Sequence, residues 1–441
     1  MTVGQDGTTA EDASQTTAPR QTTGGGYQWF LVAVVSFNMG IVFFDRNALN
    51  VLMPSVQQDL SLSNSQVGLL AGALSFTWAL AAFGTGKLSD SLGNRKLLLV
   101  ISTIGFSLCS FLSGIATSFV FLLSARLLMG ATEGGIMPIS HTMVASEVSP
   151  ARLGLAQGLA QNFGTNLLGS FVAPVVLVAL AASLGWRSAF FLAGIPGLIT
   201  AAIIWFGLRE PAKPVHAHSA GNGRKFGIID ALRVHNVLVC VILGVLMVSA
   251  FVICLTFMPI FLTTVRGYTP SQMSWLIGTL GISATIGSFT VSALSDMIGR
   301  RPVMIAAPLI GVILPLGAMY YSGPIWMMAA IFFIGWCYNG IFPLMMATVP
   351  SESVDPRHTA TAMGLTMGAA EALGGVFAPS LAGVAADATN LTAPLWIMVI
   401  LSVLGGITAM FIKETAPSQI GKKKGPPAAD APQPAADVIA P

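Results

Sequence analysis

From Pro302 to Ser351 the chain reads PVMIAAPLIGVILPLGAMYYSGPIWMMAAIFFIGWCYNGIFPLMMATVPS, 50 residues without one Asp, Glu, Lys or Arg. A helix crosses the hydrocarbon core of a bilayer with about 20 apolar residues. The run is long enough for two crossings, and Ser322-Gly323-Pro324 supplies a turn between them. Working outward, charge-free stretches recur at 97–125, 153–186, 188–208, 234–265, 267–295 and 388–412. The expected spans are 28–52, 66–86, 96–115, 119–146, 153–181, 188–208, 236–264, 270–292, 302–321, 325–348, 358–384 and 392–412. That makes twelve, in two groups of six. The longest polar interruption, 209–235, separates the groups and carries Arg209, Lys213, Arg224, Lys225 and Arg233.

Composition agrees. Of the 441 residues, 54% are hydrophobic and 9% charged, and the mean hydropathy is +0.76. An ordinary soluble domain carries about 25% charged residues. A water-soluble enzyme, a nucleic-acid binder and a disordered hub are therefore excluded. Residues 1–26, rich in Thr, Gly, Gln and Ala, lack the charged and apolar regions of a cleaved signal peptide and read as a disordered tail. Residues 413–441, with Lys422, Lys423 and Lys424 followed by Pro/Ala repeats, read as a second one. Cys109, Cys240, Cys254 and Cys337 lie in apolar runs, with spacings that fit neither a metal site nor a disulfide framework. No metal and no cofactor is expected.

Orientation follows from the positive-inside rule. With a cytoplasmic N-terminus, the tails, the even-to-odd loops and the middle segment hold 17 of the 21 Lys+Arg residues. Only Arg187 and Arg266 fall in outside loops, and Arg46 and Arg126 lie within spans. The expectation is a multi-pass, monomeric protein of a bacterial inner membrane with both termini cytoplasmic.

The halves repeat at an offset of about 205. Gly130-x4-Gly135-Ile136-x-Pro138 returns as Gly335-x4-Gly340-Ile341-x-Pro343, and Glu147 and Arg152 as Glu352 and Arg357. Met53-Pro54 returns as Met258-Pro259, and Ala173-Pro174 as Ala378-Pro379. One residue later, Leu88-Ser89-Asp90-x2-Gly93 returns as Leu294-Ser295-Asp296-x2-Gly299. Five matches in order indicate duplication. The fold class is thus an all-α membrane protein, twelve transmembrane helices in two pseudo-symmetric six-helix bundles at 27–208 and 236–412. Such duplicated halves are a transporter architecture, with the substrate between them near mid-membrane.

The loop Gly86-Lys87-Leu88-Ser89-Asp90-Ser91-Leu92-Gly93-Asn94-Arg95-Lys96, with its second copy Asp296-Met297-Ile298-Gly299-Arg300-Arg301, resembles the signature loop of the major facilitator superfamily. Gly permits the tight turn, and the Asp can cap a neighbouring helix and pair with a basic residue. The resemblance implies a gating latch of the outward-facing state formed by Gly86, Asp90, Gly93 and Arg95, and in the second copy by Asp296 and Arg300. The alternative is a basic turn that only sets topology.

Ionisable groups inside a span are costly and mark function by default. They are Asp45 and Arg46 in span one, Arg126 and Glu133 in span four, and Glu371 in span eleven. At about 1.5 Å per residue, Asp45 lies roughly 24 Å from the inside and Arg126 roughly 10 Å from the outside, a similar depth in a core about 30 Å thick. Arg126 and Glu133, seven apart, share nearly one helix face. Structural pairing alone is one account. Against it, the 205 offset puts Ala250, Phe251, Ile331 and Tyr338 opposite Asp45, Arg46, Arg126 and Glu133. Charges needed to fold the repeat would recur, and these do not.

Phe44-Asp45-Arg46-Asn47 with Arg126-x6-Glu133-Gly134 resembles the anion:cation symporter family, which includes sugar-acid symporters of the D-galactonate and hexuronate type. The resemblance covers roughly 28–412. It implies a secondary active transporter, not an enzyme, that couples uptake of a small organic anion to protons by alternating access. Asp45 and Glu133 would carry protons, and Arg46 and Arg126 would act on the substrate carboxylate and on gating. Vesicular members also use an arginine in span seven, and 236–264 has none.

Other pocket candidates are Gln161 and Asn162 of span five, Tyr338 and Asn339 of span ten, and Glu371. Each could instead bond between helices. His141 reads better as a hydrogen-bonder at the inner gate than as a proton relay. A proton-driven drug or metabolite exporter on the same fold is the nearest rival. Its usual Gly-x3-Gly-Pro-x2-Gly-Gly run in span five is absent between Gly164 and Pro174. A non-transporting membrane receptor would need a soluble sensing domain, and the sequence offers none.

Overall fold

A computed structural model describes residues 25–92, 94–149, 152–211, 227–355, 358–416 and 419. Helices α1 Gly25–Asp59, α2 Asn64–Leu92 and α3 Arg95–Gly114 open the chain. Next come α4 Phe119–Glu147, α5 running from Leu153 to Leu184, and α6 Trp186–Gly207. The second half consists of α7 His235–Val265, α8 Pro270–Ile298, α9 Arg300–Tyr320, α10 Ile325–Glu352, α11 Thr361–Ala388 and α12 Ala393–Ala409. Among the described residues eleven helices are long and apolar enough to cross a membrane, and α12, at 17 residues, is the shorter twelfth. Large apolar side chains such as Val120, Phe206 and Leu381 face outward, as a lipid-facing surface requires.

Helix ends follow local chemistry. Asn94 caps α3 by accepting from the Leu97 N–H at 3.0 Å, and Ser118 caps α4 through Phe121 at 3.3 Å. Ser63 and Gln66 exchange hydrogen bonds at the start of α2, and Thr269 and Gln272 do the same at the start of α8. Gly299, at φ 111°, makes the α8–α9 turn in a conformation that side chains resist.

The repeat governs packing too. Glu210, just past α6, accepts from the Arg95 and Lys96 N–H groups at 2.7 and 2.8 Å. Glu414, just past α12, accepts from those of Arg300 and Arg301 at 2.8 and 3.0 Å. Each half thus caps its third helix with a glutamate from beyond its sixth. Helical irregularities recur as well. α5 is π-helical over Leu159–Val172 and α11 over Ala370–Gly375. α4 slackens at Gly134–Gly135, and α10 tightens to a 3-10 turn over Cys337–Ile341. Such departures free backbone groups and re-aim side chains at functional depth.

The start of α1 and the end of α12 lie on one side of the bundle, here the termini side, with Tyr27 at Arg209 beyond α6 and His235 of α7 at Phe411; the α1–α2 and α11–α12 turns lie on the far side, where Asn64 meets Asp387. One apolar core joins the halves at the far side, from Leu49, Val56 and Leu70 to Phe257, Leu276 and Ala382, and in the second half continues to Met304 and Ile412 at the termini side. Toward the termini side the first half keeps a separate core of Leu31, Val35, Leu99, Phe106, Met143 and Ile204. Close backbone approach between halves follows the far side. A Cβ on Gly68 would enter the Pro379 carbonyl, and one on Gly383 would enter that of Asn64.

Candidate functional site

Asp45 of α1, Arg126 of α4 and Glu133 of α4 are 0%, 1% and 1% exposed, three charged groups inside the first half. The Ser110 hydroxyl on α3 lies 2.6 Å from Asp45 Oδ1 and 3.0 Å from the Phe190 carbonyl oxygen on α6. With one proton it donates to one of them at a time. Asp45 Oδ2 and both Glu133 oxygens have no hydrogen-bond partner among the described residues.

Arg126 Nη1 donates to Met129 Sδ at 3.3 Å, and the guanidinium sits 5.9 Å from the Phe190 ring centroid. Its Nε and Nη2 have no partner among the described residues. Those two N–H groups form the edge that grips a carboxylate with two parallel bonds. Asp45, Glu133 and Arg46 all act on Arg126 electrostatically, yet no ion pair within 4.0 Å joins it to either acid among the described residues. The shared depth of Asp45 and Arg126 thus brings them into mutual influence without closing a contact.

Arg46, one position on from Asp45, points elsewhere. Its Nη2 lies 3.2 Å from Glu371 Oε1 of α11 and 3.4 Å from Ser75 Oγ of α2. The guanidinium is 5.8 Å from both the Phe43 and the Trp78 ring centroids. Arg46 and Glu371 are each 19% exposed in their side chains, so the pair bridges the halves without being sealed.

The other sequence candidates divide. Tyr338 is buried against Gly311 of α9, its hydroxyl without a partner among the described residues, and its ring meets Trp336 edge-on. Asn339 is buried and donates to the Trp336 carbonyl, bracing the 3-10 turn of α10. Trp336 stacks on Phe251, the repeat counterpart of Arg46. The second half thus carries aromatic rings where the first carries charge. The side chains of Gln161, Asn162 and Asp90, the surroundings of Gly86, and all of Gly93 lie outside the described residues. Arg95 is buried at the head of α3. Arg300 pairs with Asp296, and with Glu352 of α10 at 3.0 Å, so the second signature loop is tied within its own half. His141 hydrogen-bonds Gln157, whose amide returns to the His141 carbonyl at 2.8 Å and joins α4 to α5.

Ser110, Glu210, Glu352 and Glu414 were not marked by sequence reasoning as functional partners. Ser110 offered no signal among the many serines of apolar helices. Glu210 and Glu414 did, since each follows the last span of its half.

A model described as Major Facilitator Superfamily matches residues 35–367 and again 261–438. The chain belongs to the major facilitator superfamily. Within it, the chain is 31% identical to the hexuronate transporter of Bacillus subtilis (strain 168) over 62% of its own length and 67% of that protein. It is 22% identical to the D-galactonate transporter of Escherichia coli O6:H1 over 88% and 96% of the two chains. The solved D-xylose-proton symporter superposes with TM-score 0.71 at 16% identity, over 88% of this chain and 99% of that one. That superposition fixes the shared fold. The superfamily is one of membrane transporters, which places this chain among carriers and not enzymes.

Proposed function

We propose that the protein is a proton-coupled symporter that takes up a small organic anion, a sugar acid or another carboxylate, by alternating access. The termini side is then cytoplasmic and the membrane a bacterial inner membrane, in line with the distribution of Lys and Arg. The observation that carries the reading is the open Nε–Nη2 edge of Arg126 in a buried site whose acids also retain open valences.

Charge arithmetic supplies the coupling. Asp45, Glu133 and Glu371 against Arg46 and Arg126 give three negative charges to two positive. The ionised site therefore carries one excess negative charge, and a monocarboxylate entering it would make two. Uncompensated charge in a low-dielectric interior costs several kcal/mol. Entry of the anion therefore favours proton uptake by Asp45 or Glu133, and a bound proton favours the anion, reciprocally. Arg46 offers the entering carboxylate a first contact in exchange for Glu371, and Arg126 a second once the site loosens. The continuous far-side core suits a carrier open toward the termini side.

The reading is tested with purified protein in liposomes under an imposed pH gradient, screened with labelled hexuronate, galactonate and 4-hydroxybenzoate. Accumulation of one of them driven by an inward proton gradient and abolished by a protonophore is expected. Accumulation unaffected by the gradient would refute coupling.

A further inference from the structure

We propose that Asp387, on the last turn of α11, is the catch that holds the far side of the carrier shut. Its Oδ1 accepts from the Asn64 N–H at 2.9 Å, and its Oδ2 from the Ser65 N–H at 2.8 Å and from the Ser65 hydroxyl. One side chain of the second half thus takes both leading amides of α2 in the first half. A carboxylate there also meets the positive end of the helix dipole.

The contact is not needed to start the helix. Ser63 and Gln66 already form a capping box on α2, and the matching box of Thr269 and Gln272 starts α8 without such an acid. At the repeat offset the position facing α8 is Ala182, and the first residue of α8 is Pro270, which has no N–H to offer. The device is therefore confined to the α2–α11 seam. Along that seam Gly68, Gly72 and Gly383 bring the backbones of the two halves together. Asp387 is exposed at the rim, where separation of the halves would release it into water with little desolvation to overcome. A catch of this kind is strong enough to bias the closed state and weak enough to cycle.

The inference rests on the alternating-access reading, and one measurement separates the two. Spin labels are placed on Gln58→Cys and Ala388→Cys, exposed positions at the far ends of α1 and α11. The four native cysteines are replaced by serine or alanine. Distances are read by pulsed electron resonance in nanodiscs. The parent should show a dominant short and a minor long separation. Asp387→Ala should raise the long-to-short ratio roughly three- to tenfold, the scale of charge-assisted bonds at an exposed helix end. Asp387→Asn should fall between. Ser65→Ala, which leaves both amides, should shift the ratio least, and Asp387→Asn carries the test if the alanine variant folds poorly. An unchanged ratio in Asp387→Ala, with or without a lower melting point, would overturn the catch. A single separation in the parent and in every variant would overturn alternating access as well.

Discussion

Arg46 and Glu371 lie 3.2 Å apart across the seam between the halves, each partly open to the space between them. A salt bridge placed there is both a tie and a ligand site, because an entering carboxylate competes with Glu371 for the same guanidinium. Replacing Glu371 with glutamine removes the competitor and keeps an acceptor. Glu371→Gln should bind the anion more tightly, by about three- to tenfold, consistent with loss of one partly exposed charged competitor. Its turnover should slow, because release now lacks a replacement partner. Binding on purified protein by calorimetry and exchange in liposomes read the two effects. Weaker binding in Glu371→Gln would instead make Glu371 a direct partner of substrate hydroxyls.

Arg126→Lys keeps the charge and loses the planar edge. Nε and Nη2 of Arg126 have no partner among the described residues, and they are the pair that lysine cannot reproduce. The expected loss is about 1.5–3 kcal/mol, or roughly ten- to a hundredfold in affinity. Arg126→Ala should be worse, since it also removes the positive charge that acts on Asp45 and Glu133. Thermal melting checks folding separately. Parental affinity in the lysine variant would make Arg126 a structural member and leave Arg46 as the carboxylate anchor.

The fold was legible because a bilayer imposes length and apolarity on each helix. Spans at 188–208 and 325–348 became helices Trp186–Gly207 and Ile325–Glu352. The charged residues were legible as a set for the same reason. What sequence did not carry was their partnering. Asp45 and Arg46 are neighbours in sequence, yet one turns into α3 toward Ser110 and the other across the seam to Glu371. A helix places successive residues about 100° apart, so adjacency in sequence means divergence in space. Asp387 was equally silent, because its partners are backbone amides, which every residue except proline has.

Glu133→Gln imitates the protonated acid. Both carboxylate oxygens of Glu133 are buried without partners among the described residues, so the change disturbs no described hydrogen bond. Substrate exchange across liposomes should persist within about threefold, the range of an isosteric change without a lost bond. Accumulation against a gradient should vanish. Intact uphill uptake would shift coupling to Asp45 or Glu371.

Glu414 gives a prediction about stability and pH, away from transport. Partial burial works against its charge, but the backbone N–H groups of Ala416, Arg300, Arg301 and Thr415 outweigh that and hold its carboxyl below the usual glutamate range. A carboxyl with a lowered folded-state pKa stabilises the protein above the ordinary carboxylate range, and the contribution fades as pH falls through the folded value. At neutral pH, Glu414→Gln should therefore melt below the parent, with a cap loss of about 0.5–2 kcal/mol. On acidification the parent should lose stability faster than Glu414→Gln, and the gap between them should narrow. Melting curves in one detergent from pH 7 to pH 2.5, which runs below the ordinary carboxylate range, recorded for both proteins, test this. A gap that stays constant over that range would mean that Glu414 contributes shape at the head of α9 and not charge.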